Sequence, residues 1–382
     1  MAYNKYREFE NNLNILEEIL SNSSELSSTT KAFVETYKGF GAIKEVLYAN
    51  DSNLWNAGNV RLKDLLPRLD NLIDRFSDIN GTSRHVILES LKNSTATAFY
   101  TPNEITDAIA KSVLSNNSSV KTVLEPSAGT GNFIKSLLKL DSQLEVTAIE
   151  QDILTSSVGR ALYQDNRNVD FINKRFQDIA HIANQYDLVI SNIPFGQIKV
   201  YDKAFLFSKN AAERKSLDRV HNYFFMRGLE KVKEGGLLAF ITTSSFFNSP
   251  SNQIFRNEIF SKSDLVSAVR FPDSMFENFA GTKAPSDLLI VRKNSNKIQQ
   301  DLTLPEQQLS NTIESDDKII WNEYFYKNRQ TIIHDSLDLG HDQYGKRDYE
   351  VKFNSDVNAI SERLSSILNT PEIKISGEES TA

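Results

Sequence analysis

Between residue 94 and about residue 294 the chain alternates short apolar runs with amphipathic stretches, a pattern that few folds satisfy. Apolar runs near 121–125, 145–150, 168–172, 186–191, 236–242, 264–271 and 286–293 read as strands. Helical spacing near 103–115, 131–140, 153–164, 219–233 and 251–261 falls between them. Such alternation predicts an α/β architecture, a parallel sheet covered on both faces. The last two strands are joined by a long loop, which fits an antiparallel end to the sheet.

The flanks read differently. Residues 1–93 carry apolar stripes at helical spacing: Phe9, Leu13, Leu16, Leu20, then Ile43, Val46, Leu47, then Leu62, Leu65, Leu66, Leu69, Leu72, Ile73. Asn/Ser clusters at 21–28 and 50–60 punctuate these helices. Trp55 and the Tyr37–Gly41 stretch read as packing rather than chemistry. Residues 295–382 are rich in Asn, Ser, Gln and acid, with one helical stretch at Val357–Leu368. The expected domains are 1–93, 94–294 and 295–382, the last partly disordered over its final ten or so residues.

Charge narrows the function. The net charge of −7 resides in residues 295–382, which hold 9 Lys+Arg against 16 Asp+Glu. Segment 197–220 has the opposite balance, 6 Lys+Arg against 3 Asp+Glu, and reads as a phosphate-attracting loop or a solvated one. The chain has no Cys, and its five His are scattered without a metal-ligand pattern. The polar start and the lack of a membrane-length apolar run lead us to expect a cytoplasmic protein.

Chemistry concentrates at strand ends. Val123-Leu124-Glu125-Pro126-Ser127-Ala128-Gly129-Thr130-Gly131-Asn132-Phe133 is a strand end, an acid, and a Gly-rich turn entering a helix. Glycines there let the backbone approach a ligand closely. The third Gly of the dinucleotide fingerprint is missing. A carboxylate at this strand end suits an ammonium or hydroxyl better than a pyrophosphate. The turn resembles the S-adenosylmethionine loop of class I methyltransferases.

Glu150, 19 residues after Gly131 and followed by Gln151, ends the next strand and is placed to bind ribose hydroxyls. Asp178 follows the third strand and is placed to accept from an adenine amine, with Ile179 packing on the ring. Phe99-Tyr100-Thr101-Pro102 precedes a helix that Thr and Pro would also cap. Asn192-Ile193-Pro194-Phe195 closes the strand ending Asp187-Leu188-Val189-Ile190. Taken alone it is also an ordinary turn.

Together these motifs resemble an N6-adenine DNA methyltransferase whose cofactor motifs precede its catalytic motif. The match is closer to the methyltransferase modules of phage and conjugative-element helicase–methylases, and more distant to the modification subunits of type I restriction systems. It rests on Tyr37–Gly41, Phe99–Pro102, Glu125–Phe133, Ser191–Gly196, His221-Asn222-Tyr223-Phe224-Phe225, Gly235-Gly236 and Ala280-Gly281-Thr282.

The resemblance implies the class I S-adenosylmethionine-dependent fold, a doubly wound, mostly parallel seven-stranded sheet with a helical N-terminal domain. It implies S-adenosylmethionine bound by Thr101, Pro102, Glu125, Pro126, Ser127, Gly129, Gly131, Asn132, Phe133, Glu150, Gln151, Asp178 and Ile179. The Asn192 side-chain oxygen and the Ile193 carbonyl would take the two N–H bonds of the adenine amine. Pro194 would stiffen the turn and Phe195 would stack on the flipped base. The chemistry would be mostly positioning, without a metal.

Two departures stand out. Ile193 occupies a position where Pro is usual, but the carbonyl expected there is unchanged. The segment after the catalytic region is short and acidic, so DNA recognition is expected either from residues 1–93, 197–220 and the loop before the last strand, or from a specificity subunit or larger parent chain. Phe276 or Phe279 is a candidate second aromatic wall. His221 and Tyr223 read as structural or DNA-facing, and Asn222 as undecided. Competing readings are methylation of RNA or of a protein glutamine, or a catalytically silent antirestriction or scaffold module.

Overall fold

Four helices open the chain: α1 (Lys5–Ser21), α2 (Ser28–Val34), α3 (Leu66–Asn80) and α4 (Arg84–Thr95). The computed structural model describes residues 4–369 apart from 22–25, 42, 48–50, 52, 54, 57, 96–99, 116–118, 278–282, 299–300 and 342–346. The expected disorder at the C-terminal end, Phe279 and Ala280–Thr282 therefore lie outside the described residues. In α3, Pro67 sits in the first turn, and Gly81 ends the helix in the left-handed conformation. Its buried stripe of Leu69, Leu72, Ile73 and Phe76 meets Phe9, Leu13 and Leu16 of α1 in one apolar cluster.

Seven strands make the main sheet: β1 (Thr122–Glu125), β2 (Glu145–Glu150), β3 (Val169–Asn173), β4 (Tyr186–Asn192), β5 (Val232–Thr243), β6 (Ser263–Arg270) and β7 (Ser286–Lys293). Their order is β3-β2-β1-β4-β5-β7-β6. Only β7 runs antiparallel to its neighbours. This is the doubly wound, mostly parallel sheet expected from the alternation and from the class I resemblance. Helices α5 (Asn103–Ser115), α6 (Asn132–Leu140), α7 (Ile153–Tyr163), α8 (Lys203–Leu206), α9 (Ala211–Ser216), α10 (Val220–Lys231), α11 (Ser245–Asn248) and α12 (Gln253–Phe260) connect and cover it.

The strands read as unbroken apolar runs because both faces are covered. Val123, Leu188 and Ile190 join one core with Ile105, Ile109 and Phe133. Their neighbours Leu124 and Val189 join the other with Phe224, Phe225 and Phe260. The N-terminal helices share their own cluster with Ile153, Leu154 and Val158 of α7, so they rest on the sheet's covering layer. No helix among the described residues is long and apolar enough to cross a membrane.

Residues beyond β7 fold onto the sheet. They form a helix at Leu304–Ser310, a hairpin of β8 (Thr312–Glu314) and β9 (Ile320–Asn322), and a helix at Glu323–Lys327. A second hairpin of β10 (Ser336–His341) and β11 (Arg347–Lys352) and a helix at Val357–Leu368 follow. Ile360, Leu364 and Leu368 of that last helix pack with the α5 side chains Ile105 and Ile109. On the other face Trp321 and Phe325 are buried.

The anchor there is a charged pair. Arg270 donates from Nε to Asp287 Oδ1 at 2.7 Å and from Nη2 to Oδ2 at 2.8 Å, with both side chains buried. Its guanidinium stacks 4.4 Å from the Trp321 and Phe325 ring centres. A bidentate carboxylate on one axis and ring faces on the other satisfy an otherwise costly buried cation. Asp287→Ala, which leaves Arg270 buried and unpaired, is expected to lower stability by about 3–5 kcal/mol. The double substitution Arg270→Met/Asp287→Leu should recover part of that loss. Urea unfolding of the two variants checks this.

Candidate active site

Strand order reverses between β1 and β4, because the chain steps outward from β1 to β3 and then returns to β4. In open α/β sheets this leaves a crevice beyond the strand C-termini, where ligands bind. Glu125 ends β1 and Asn192 ends β4, so the two motif-bearing turns flank that crevice. Buried Ser191 ties them together, its Oγ donating to the Ser127 carbonyl at 3.1 Å.

The Gly-rich turn is held from both sides. Ala128 N donates to Ile149 O at 2.8 Å, linking the turn to β2. Glu150 at the end of β2 accepts from Gly129 N at 2.9 Å and from Asp152 N at 2.8 Å. Asp152 in turn caps α7 through Leu154 N and Thr155 N. Asn132 Nδ2 donates to Thr101 O at 2.8 Å, so the Thr101-Pro102 turn lies on the start of α6. Pro102 O accepts from Ile105 N and Thr106 N and opens α5.

Glu125 Oε2 and Thr101 Oγ1 are buried here with no hydrogen-bond partner among the described residues. Buried polar atoms are normally matched by protein, ordered water or a ligand, so these two are free to receive one. Burial, then the nearby Glu150, pushes the Glu125 carboxyl well above the usual carboxylate range. Burial, then Asp152, pushes Glu150 up to about 8, against the pull of the backbone N–H groups of Asp152, Gly129 and Gln151. Buried carboxyls beside a hydroxyl suit ribose hydroxyls and a cationic amine, whose approach would favour the ionised form. This set of oxygens thus fits the aminoacyl and ribose parts of S-adenosylmethionine.

A contact that the sequence reading missed lies behind the turn. The Tyr100 ring is wedged between the backbones of Gly39 and Gly129. A Cβ on Gly39 would come within 2.8 Å of Tyr100 Oη, and one on Gly129 within 2.9 Å of Tyr100 Cε1. Both glycines have positive φ, +64° and +57°. Asn12 clamps the Gly39 turn, donating to Gly39 O at 2.5 Å and accepting from Lys38 N at 3.0 Å. Tyr37 and Phe40 are buried, as their packing role predicts, but the loop between them also backs the Gly-rich turn. The glycine between two aromatics in Tyr37–Gly41 was the available signal.

The other expected residues are distributed as follows. Pro126 and Phe133 are buried, and Ser127, Asn132 and Gln151 are half-buried on the same turns. The Gly131 carbonyl accepts the Tyr163 hydroxyl at 2.6 Å. Asp178 is exposed on the turn after β3 and holds Arg175 bidentately at 2.7 and 2.9 Å, with Ile179 half-buried beside it. Ile193 is 1% exposed, its side chain in one sheet core and its N–H bonded to Ile241 O at 3.0 Å. Pro194 is buried, and Phe195 packs in the opposite core with Met275 and Phe276. His221 and Tyr223 are both buried. Burial, then Arg219, lowers His221 to about 3, so its ring is neutral. The Tyr223 hydroxyl donates to Asp202 at 2.6 Å, and Asn222 Nδ2 donates to Asn252.

A family profile described as N-6 DNA Methylase matches residues 77–347, well over half of the chain. The chain belongs to the N-6 DNA methylase family. It is similar to the Type II methyltransferase M.AccI of Acinetobacter calcoaceticus, 24% identical over 255 residues that cover 60% of this chain and 46% of the relative. It is also similar to the Defense against restriction protein B of Escherichia phage P1, 24% identical over 247 residues covering 63% of this chain and 10% of that protein. The chain thus spans about half the length of the first relative and a tenth of the second. Among solved structures it resembles a type I restriction-modification methyltransferase subunit from Streptococcus thermophilus, with a TM-score of 0.45 and 12% identity over 85% of each chain.

Burial of Glu150 predicts a pH dependence for this N-6 DNA methylase family member. Its folded-state value of about 8 lies above the ordinary 4.5 of an exposed carboxyl. The folded protein therefore holds a proton that the unfolded chain releases. Glu150's own contribution to stability is therefore full at low pH and is lost as pH rises from about 5 to about 8. Glu150→Gln should flatten that fall while weakening cofactor binding at least about tenfold. Thermal melts across this range and calorimetric titration with S-adenosylmethionine check both parts.

Proposed function

We propose that this chain transfers a methyl group from S-adenosylmethionine to the exocyclic N6 amine of adenine in DNA, with the base flipped out of the duplex. The observation that carries the reading is the Ser191 Oγ–Ser127 O bond across the β4/β1 crevice. It fixes the Asn192–Phe195 turn against the Gly-rich turn whose unmatched acceptors suit the cofactor. Family membership supplies the amine-methylating context.

The adenine amine is a poor nucleophile because its lone pair is delocalised into the ring. In our reading the Asn192 side-chain oxygen and the Ile193 carbonyl accept its two N–H bonds. Loss of planarity at that nitrogen exposes the lone pair. The Ile193 N–H bond to Ile241 O pins the Asn192–Ile193 peptide, one link before that carbonyl, and the buried Ile193 side chain holds the turn that Pro would otherwise stiffen. Phe195 supplies the stacking face for the base. The aminoacyl end of the cofactor is held by Glu125 and Thr101, and the ribose by Glu150. Asp178 and Ile179 hold the adenine ring. When bound, S-adenosylmethionine supplies an electrophilic methyl group. The residues contribute alignment and water exclusion, and alignment alone is worth several orders of magnitude in rate.

DNA recognition in this reading is shared with a specificity subunit or a larger parent chain. The acidic balance of residues 295–382 supports that, since it opposes phosphate contact by the C-terminal segment.

Asn192→Ala is expected to lower methyl transfer by at least about 10²-fold while changing cofactor affinity less than about threefold. Tritiated cofactor offered with separate DNA, RNA and protein pools provides the test. Label in DNA at N6-methyladenine supports the reading. Label in RNA or protein alone overturns the substrate, and absence of cofactor binding by titration overturns the enzyme.

A further inference from the structure

Segment 197–219 leaves the Asn192–Phe195 turn and returns to α10, so both its ends lie at the catalytic edge of the sheet. It is a built loop. Val200 N donates to Leu217 O at 2.8 Å and closes its base, while Val200 and Phe205 are buried in the core beneath. Its acids are used internally. Buried Asp202 caps α8 and accepts the Tyr223 hydroxyl, Glu213 accepts Ser208 Oγ, and Asp218 lies 4.0 Å from Lys199. Its remaining lysines, Lys203, Lys209 and Lys215, are exposed and enter no ion pair with the described residues. Between them Tyr201 and Phe207 stand out at 73% and 74% exposed.

Large rings held in water beside unpaired lysines gain nothing from the fold itself. The same combination is what single strands and distorted duplexes use, with stacking on rings and charge on phosphates. We infer that this loop is a DNA-contacting surface, with Lys203, Lys209 and Lys215 facing phosphates and Tyr201 and Phe207 stacking on bases beside the flipped adenine. This inference rests on the methyltransferase reading above and names the part of the chain that grips its substrate. The acidic C-terminal segment is excluded from this contact by its charge.

The test compares full-length wild type with Lys203→Ala/Lys209→Ala/Lys215→Ala and with Tyr201→Ala/Phe207→Ala. Fluorescence anisotropy with a labelled DNA duplex is measured over a salt series, alongside calorimetric binding of S-adenosylmethionine. All five side chains are exposed, so both variants should fold and bind cofactor as wild type does. The lysine variant should reduce the slope of log affinity against log salt by about 2–3. The aromatic variant should weaken DNA binding at least about fivefold with the slope unchanged. Wild-type affinity and slope in both variants overturn the loop proposal, while methylation of DNA by wild type leaves the enzyme reading standing. If wild type binds cofactor but neither binds nor methylates DNA, the DNA reading and the loop proposal both fail. Loop-dependent binding of a labelled RNA without binding of the duplex also overturns it.

Discussion

The carboxylate of Glu150 is a buried acid that makes three parts of the fold one object. One oxygen holds Gly129 of the turn after β1, and the other holds Asp152 at the start of α7. Asp152 then fixes Thr155, whose hydroxyl faces the Tyr100 hydroxyl at 3.4 Å. Tyr100 fills the space between Gly39 and Gly129. Desolvation of a carboxylate is expensive, and here it raises the proton affinity of the group. A ligand that presents hydroxyls to it would offset that cost, in keeping with the ribose-binding role proposed for it.

The same arrangement joins the N-terminal helices to the site. Their apolar stripe seats on Ile153, Leu154 and Val158 of α7, and the turn at Gly39 reaches the Gly-rich loop. On the far side of the sheet, the segment after β7 wraps both faces. Trp321 and Phe325 cover the Arg270–Asp287 pair, and the Val357–Leu368 helix packs on α5. The crevice at β1 and β4 is thus braced from both ends of the chain.

The seven strands and the five longer helices from 103 to 293 were legible because a sheet covered on both faces demands continuous apolar runs, as in Leu188-Val189-Ile190, whereas the short helices α8, α9 and α11 were not. The strand ends at Glu125, Glu150 and Asn192 were legible because short turn motifs follow them. The specific contacts of Ser191, Tyr100 and Gly39 were not legible, although Gly39 falls in a stretch read as packing and the other two fall in the Ser191–Gly196 and Phe99–Pro102 motifs. Each acts through a partner distant in sequence, at Ser127, Gly129 and Tyr100, and no local pattern records such a meeting. The compositional reading of residues 295–382 was dominated by their acids. Ile319, Trp321 and Phe325 nevertheless form a core there, because a few apolar side chains suffice when a sheet face is available to receive them.

By itself the sequence determined the α/β alternation, the family, and which strand ends hold acid, glycine and amide. These follow from periodicity and from local turn chemistry, both of which act over a few residues. Only the tertiary structure decided that Glu125 and Thr101 would be buried with unmatched acceptors. It alone seated Tyr100 against two glycine backbones and buried Asp202 of the 197–219 loop while Lys203, Lys209, Lys215, Tyr201 and Phe207 face water. Burial and long-range packing set those properties, and they exist only once segments far apart in the chain are brought together.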